Sequence, residues 1–119
     1  MLVLSHKKLD VYKKSLELLK IVYKTTIDFP KEEQFGLVAQ IRRAAISVCC
    51  NISEGASRLS HREKLRFFEI SRSSVVELDT QFEIAMLLGY YKLGQTQELE
   101  QYLEDVFRIL SKMISNIKS

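Results

Sequence analysis

Arg58, Arg62, Lys64 and Arg66 are the residues whose types and spacing point most directly to a binding chemistry. They lie at or just beyond a junction between two helical patterns, and Arg58 and Arg62 are four apart. A cluster of this kind attracts phosphates. The only aromatics interleaved with it are Phe67 and Phe68, which the apolar pattern assigns to the core, so stacking on single-stranded bases is not expected. Binding would be phosphate-led, weakly sequence-specific and steeply dependent on salt. A solvated surface without a partner is the plainer account of the same cluster. Arg42 and Arg43 also admit two roles. One is phosphate binding from a helix face; the other is a structural ion pair across a bundle, Arg43 with Glu77, which would fix register more surely than it adds stability.

Catalytic chemistry finds no matching constellation. A di-iron bundle needs Glu-x-x-His on two helices, and neither His6 nor His61 has a glutamate three residues before it. The spacing of His61 from the preceding arginines does not suit a helical ribonuclease of the Arg-x4-His type, and no Gly-rich phosphate loop precedes a helix. Both histidines are expected on the surface. Cys49 and Cys50 are adjacent in a helical pattern, where side chains diverge by about 100°. That disfavours a disulfide between them, and no second pair completes a metal site. They are expected as small buried or interface side chains. These observations argue against an enzyme, a cofactor, a metal or a small-molecule substrate.

The elements that must position these residues are helical. A single Pro and four Gly among 119 residues leave little room for a turn-rich β fold. A chain of this length forms one domain, 1–119, able to bury roughly two-thirds of its unfolded surface. No apolar run approaches the ~18 residues of a membrane span, and the first residues lack the pattern of a secretory leader, so a cytoplasmic protein is expected. The first helix should run from Leu9 to Asp28, with Leu9, Tyr12, Leu16, Leu19, Tyr23 and Ile27 as its bundle-facing stripe. Val11, Leu18, Val22 and Phe29 form a weaker stripe beside it. Phe29-Pro30 ends this helix.

A second helix is expected from about Glu32 to Glu54, with Gly55 as a left-handed cap. Ile41, Ala45, Val48 and Ile52 share one face, and the small Ala44, Ser47 and Cys50 beside it allow close approach. This helix is expected to be the innermost. Ser60-His61-Arg62-Glu63 reads as a capping box that opens a third helix, ending at Gly89 with Leu65, Phe68, Val75, Leu78, Phe82 and Ala85 on one face. The fourth, Thr96 to Ile117, carries Leu99, Leu103, Val106, Leu110, Met113 and Ile117.

Four such helices with short links predict an all-α, antiparallel up-down-up-down bundle. The net charge of +3 is too small to imply a partner, but its distribution is uneven: residues 73–105 carry one Lys against seven Asp and Glu. The alternating topology would gather Lys7, Lys8, Lys13, Lys14, Arg58, Arg62, Lys64, Arg66, Lys112 and Lys118 at one pole and most acids at the other. Apolar residues outside the primary stripes, including Val11, Leu18, Val22, Phe67, Ile70, Tyr102 and Ile109, would be partly exposed in a monomer, which favours a homo-oligomer.

At Gln40-Ile41-Arg42-Arg43-Ala44-Ala45, followed by Asn51-Ile52 and Glu54-Gly55, the sequence resembles a bacterial four-helix-bundle family. Its genes are often found as intervening sequences within large-subunit ribosomal RNA genes, and it is sometimes labelled ribosomal-protein-like. The likeness extends through Leu9-Asp10-Val11-Tyr12, Phe29-Pro30-Lys31-Glu32-Glu33-Gln34-Phe35-Gly36-Leu37, Ser73-Ser74, Glu77-Leu78, Thr80-Gln81, Glu83-Ile84-Ala85 and Leu88-Gly89-Tyr90. Tyr12 stands where a tryptophan is common, and Cys49-Cys50 where a proline–serine pair is frequent, which would leave the second helix straighter. The family is similar in fold to the accessory protein of diversity-generating retroelements, a ring-shaped pentamer that binds nucleic acid and a reverse transcriptase. The resemblance therefore implies a pentamer and an RNA-related role. Residues and resemblance together lead to the expectation of a homo-oligomeric bundle binding RNA or a ribonucleoprotein. A protein–protein interaction scaffold with no nucleic-acid role is the alternative.

Overall fold

The computed structural model describes residues 1–119, and four helices carry the chain: α1 Asp10–Thr26, α2 Leu37–Ser57, α3 His61–Leu87 and α4 Gln97–Lys118. There is no strand. Short 3₁₀ turns at Ser5–Lys8 and Lys31–Glu33 precede α1 and α2. Local chemistry sets these boundaries. Ser60 Oγ accepts from the Glu63 amide at 3.1 Å and so begins α3. Only that half of the capping box forms, because the Glu63 carboxylate turns to Arg66 at 3.7 Å. At the other end the Tyr90 amide reaches back to the Ala85 carbonyl at 2.8 Å and the Gly89 amide to Met86 at 3.1 Å. Gly89 takes φ +81°, which a glycine adopts without a Cβ penalty.

The start of α2 differs from expectation by five residues. Lys31–Glu33 make a separate turn after Pro30, and the helix begins at Leu37. Glu33 supplies the missing cap from outside the helix: its Oε1 accepts from the Leu37 amide at 3.3 Å. Gly55 is not a cap either. The helix runs on to Ser57, and Gly55 lies buried inside it where the Phe68 ring of α3 closes on its backbone.

Each helix touches two neighbours, in the order α1, α2, α3, α4 and back to α1, and neither diagonal pair is in contact. The core is therefore shared by all four, and α2 is not innermost. Val11, Leu18, Ile41, Ile52, Leu78, Leu99, Val106 and Leu110 lie in it, each at most 2% exposed. Inter-helix hydrogen bonds tie the layers. Cys49 Sγ donates to Ser15 O at 3.3 Å, Ser71 Oγ to Val48 O at 2.8 Å, and Arg72 Nε to Ser111 Oγ at 2.7 Å. Lys14 and Asp105 join α1 to α4 at 3.3 Å.

The faces of α1 are reversed from the sequence reading. Val11, Ser15, Leu18, Val22 and Thr25 point inward, whereas Leu16 and Tyr23 are each 37% exposed and Ile27 is 71% exposed. Ser15, Thr25 and Thr26 explain the reversal. Their hydroxyls donate to the carbonyls of Tyr12, Ile21 and Val22, so each is satisfied within its own turn and can be buried at little cost. Their small size lets α2 come close. On α2, Cys49 is buried and Cys50 exposed, so the small-residue edge consists of Ala44 and Ser47 without Cys50. The inward face of α3 matches the expected one with Leu65 only partly buried, and that of α4 matches through Leu110, after which Ile114 is buried in place of Met113 and Ile117 is only partly buried.

Candidate nucleic-acid interface

Arg58 caps the C-terminus of α2 in an extended conformation, which swings its side chain over the first turns of α3. Its guanidinium lies 4.8 Å from the centre of the Phe67 ring, and that of Arg66 lies 5.2 Å from the same centre. The core takes Phe68 but leaves Phe67 half-buried between these arginines. Phe67 thus belongs to the site, which the sequence reading missed. Its adjacency to Arg66 was the available signal. Arg58 is also paired with Glu54 at 3.1 Å, one turn back. Stacking and pairing hold two long side chains in fixed geometry at an exposed corner.

The other members of the cluster diverge. Arg62 is exposed, makes no ion pair, and lines a shallow depression with Glu63 and Arg66. Lys64 turns inward, where its Nζ donates to the Ala56 carbonyl at 3.1 Å and satisfies the end of α2. Arg58, Arg62 and Arg66 therefore present charge outward, and Lys64 is structural.

Arg42 is structural as well. Its Nε donates to Thr26 Oγ1 at 3.0 Å, a terminal nitrogen donates to Tyr23 O at 3.2 Å, and the guanidinium covers the Tyr23 ring at 4.4 Å. Arg43 and Glu77 share a shallow depression with Gln40 and Ser47, but the expected ion pair between them does not form. Gln81, one turn along α3, donates to Glu77 at 3.3 Å and holds the carboxylate on its own helix. An exposed pair contributes only about 0–1 kcal/mol, too little to draw Arg43 out of water.

His61 is exposed at the first turn of α3. His6 is buried, contrary to expectation, with its ring edge-on to Tyr12 at 4.8 Å. No three His, Cys, Asp or Glu residues converge as metal ligands would.

A different chemistry surrounds the α3–α4 connection. The Tyr90 hydroxyl donates to Glu33 at 3.1 Å, and that bond, with burial and the charges of Glu33 and Glu32, raises its pKa. Burial, then a hydrogen bond to Glu100, raises that of Tyr91. Glu100 also accepts from the Gly94 amide at 2.7 Å. Carboxylates organise this end, and arginines organise the α2–α3 corner.

The family described as 23S rRNA-intervening sequence protein matches residues 7–112. The chain belongs to that family. The crystal structure of a Bacteroides thetaiotaomicron protein of unknown function, from the S23 ribosomal protein family, superposes with a TM-score of 0.77 at 22% identity. The match covers 92% of this chain and 96% of that one, and it carries the fold alone. No curated protein matches the chain. In this family member, the motif residues Gln40, Arg43 and Glu77 meet Ser47 along the α2–α3 seam, where Ser47 and Ser74 are joined at 2.8 Å. No helix is long and apolar enough to cross a membrane.

Proposed function

We propose that this family member is a non-enzymatic, cytoplasmic helical bundle that assembles into a homo-oligomeric ring and presents its α2–α3 corner to RNA or a ribonucleoprotein. Within each subunit the helices run up-down-up-down. The pairing of Lys64 with Ala56, Ser71 with Val48 and Ser74 with Ser47 supports that order for α2 and α3, since one number rises as the other falls. The subunit number by resemblance is five.

The reading is carried by the separation of charge along the chain, which that topology gathers into two ends. Residues 5–14, 54–66 and 112–119 hold ten Lys and Arg against three acids. Residues 27–34 and 83–104 hold seven acids against two lysines. Oligomerisation in register would multiply the basic end into a wider field, and such fields attract polyanions and speed their capture. The link of the family to ribosomal RNA intervening sequences favours RNA as that polyanion.

Filter binding with a structured RNA at two salt concentrations tests this. With about three phosphate contacts, affinity should fall about 20–40-fold between ~50 and ~200 mM salt. Changing Arg58, Arg62 and Arg66 together to Glu should abolish binding and preserve helix content. Absent or salt-indifferent binding at ~50 mM overturns the RNA role.

A further inference from the structure

Two apolar grooves lie on opposite sides of the bundle, one between α1 and α2 and the other between α3 and α4. The first has Leu19, Tyr23, Ile27 and Ile46 as its floor, with Lys20, Lys24 and Arg42 around it. Ile27 is 71% and Ile46 43% exposed, and Ile27 belongs to the α1 stripe that the sequence reading turned inward. The second has Val76, Leu93, Leu103 and Phe107 as its floor, with Asp79, Glu100 and Glu104 around it. Val76 is 46% and Leu93 78% exposed. One rim is wholly cationic and the other wholly anionic.

The rims also hold uncompensated charge. Lys20 is paired with Glu17 on its own helix, but Lys24 makes no ion pair and Arg42 bonds only to neutral oxygens. Asp79 and Glu104 accept from no side chain, whereas Glu100 is engaged by Tyr91 and Gly94. Two unpaired cations therefore face out on one side of the molecule and two unpaired carboxylates on the other, each beside exposed aliphatic surface.

We infer that the α1–α2 groove of one copy seats on the α3–α4 groove of the next, with Lys24 and Arg42 meeting Asp79 and Glu104 over a joint apolar floor. This rests on the self-association in the proposed function and specifies its contact as heterologous. A contact of that kind leaves an unused half-site on each side of any dimer, so assembly continues until a ring closes or a filament grows. Apolar contact supplies the attraction, and the charges select the orientation and exclude each face from pairing with itself.

Multi-angle light scattering after size exclusion reads the outcome against the 13.8 kDa monomer. Wild type is expected to run as a multimer. Ile46→Asp and Val76→Asp, each at an exposed position, should each give monomers with unchanged circular dichroism. Lys24→Glu and Glu104→Lys should each weaken assembly alone, and the double variant Lys24→Glu/Glu104→Lys should restore it, because opposite charges then meet again at every contact of a ring of any subunit number. An assembled Val76→Asp variant, or a double variant no larger than the two single ones, overturns the heterologous contact and leaves self-association standing. A monomeric wild type removes both. RNA binding at the Arg58 corner is read separately, by filter binding.

Discussion

Substituting Gly55 by alanine sets two physical effects against each other. In a helix interior, Gly→Ala ordinarily stabilises by about 1 kcal/mol, because alanine loses less backbone entropy on folding. Here the added Cβ would stand 2.7 Å from Phe68 Cε1, 2.8 Å from Phe68 Cδ1 and 3.3 Å from the Lys64 carbonyl. Ordinary contact begins at 3.4 Å, so the ring must withdraw by about 0.7 Å. Phe68 is 4% exposed and is held within the shared core, so it has no open side to move into. Forcing a methyl group into such a site costs about 1–3 kcal/mol. The clash should therefore cancel or outweigh the gain, with a net loss of about 0–2 kcal/mol.

Urea unfolding followed by circular dichroism measures this directly, and the melting temperature should fall by about 4 °C per kcal/mol lost. Phe68→Leu supplies the control. It shortens the ring and should cost stability alone, yet in the double variant the alanine should fit. The two changes should thus be less damaging together than their sum, with a coupling of about 1 kcal/mol. A Gly55→Ala protein more stable than wild type, or strictly additive single variants, would refute the claim that α2 and α3 meet through this glycine.

Further outcomes follow from other parts of the fold. Leu18→Ala should cost about 3–4 kcal/mol and Leu16→Ala under ~1 kcal/mol by urea unfolding, since Leu18 is 1% exposed and Leu16 faces solvent in the monomer. In the native protein a thiol reagent should label Cys50 quickly and reach Cys49 only on unfolding, because burial raises the Cys49 pKa and shields the sulfur. Asp105 has its pKa lowered below the ordinary 3.8, chiefly by the Gln101 hydrogen bond and then by Lys14 and Arg108. Its contribution is therefore present above 3.8 and lost as pH falls through the lower folded value, so Asp105→Asn should melt earlier than wild type at neutral pH and converge with it in acid. Tyr90 is raised by Glu33, so its contribution is complete below 10.0 and lost at higher pH; Glu33→Gln should lower the pH at which Tyr90 ionises, read by tyrosinate absorbance.

The residues that sequence reasoning placed well are those governed by local rules. Ser60 and Gly89 mark the two ends of α3, the first by a side-chain acceptor and the second by a left-handed turn, and neither depends on distant neighbours. The stripe of α4 is legible through Leu99, Leu103, Val106 and Leu110, whose steps of four, three and four keep them on one face. The α1 stripe was misread because two apolar faces compete there. Leu16 and Tyr23 carry more surface than Ser15 and Thr25, and hydrophobicity alone prefers them inside. What decides is that α2 must approach closely, which small side chains with self-satisfied hydroxyls allow. The candidate site divided in a similar way. The basic cluster at 58–66 was visible as composition, but the inward turn of Lys64, the stack on Phe67 and the missing Arg43–Glu77 pair depend on atoms brought from other turns and helices.

Helical periodicity, turn chemistry and the order of charges along the chain were enough by themselves to determine that this protein is all-α, has four helices and carries its basic and acidic residues in separate stretches. These properties arise within a few residues of one another, so the linear sequence contains them in full. Only the tertiary structure decided which face of α1 is buried, that Gly55 is a contact point and not a cap, and that cationic and anionic apolar grooves lie on opposite sides. Those outcomes depend on how closely two helices can approach, a distance set jointly by side chains far apart in the chain.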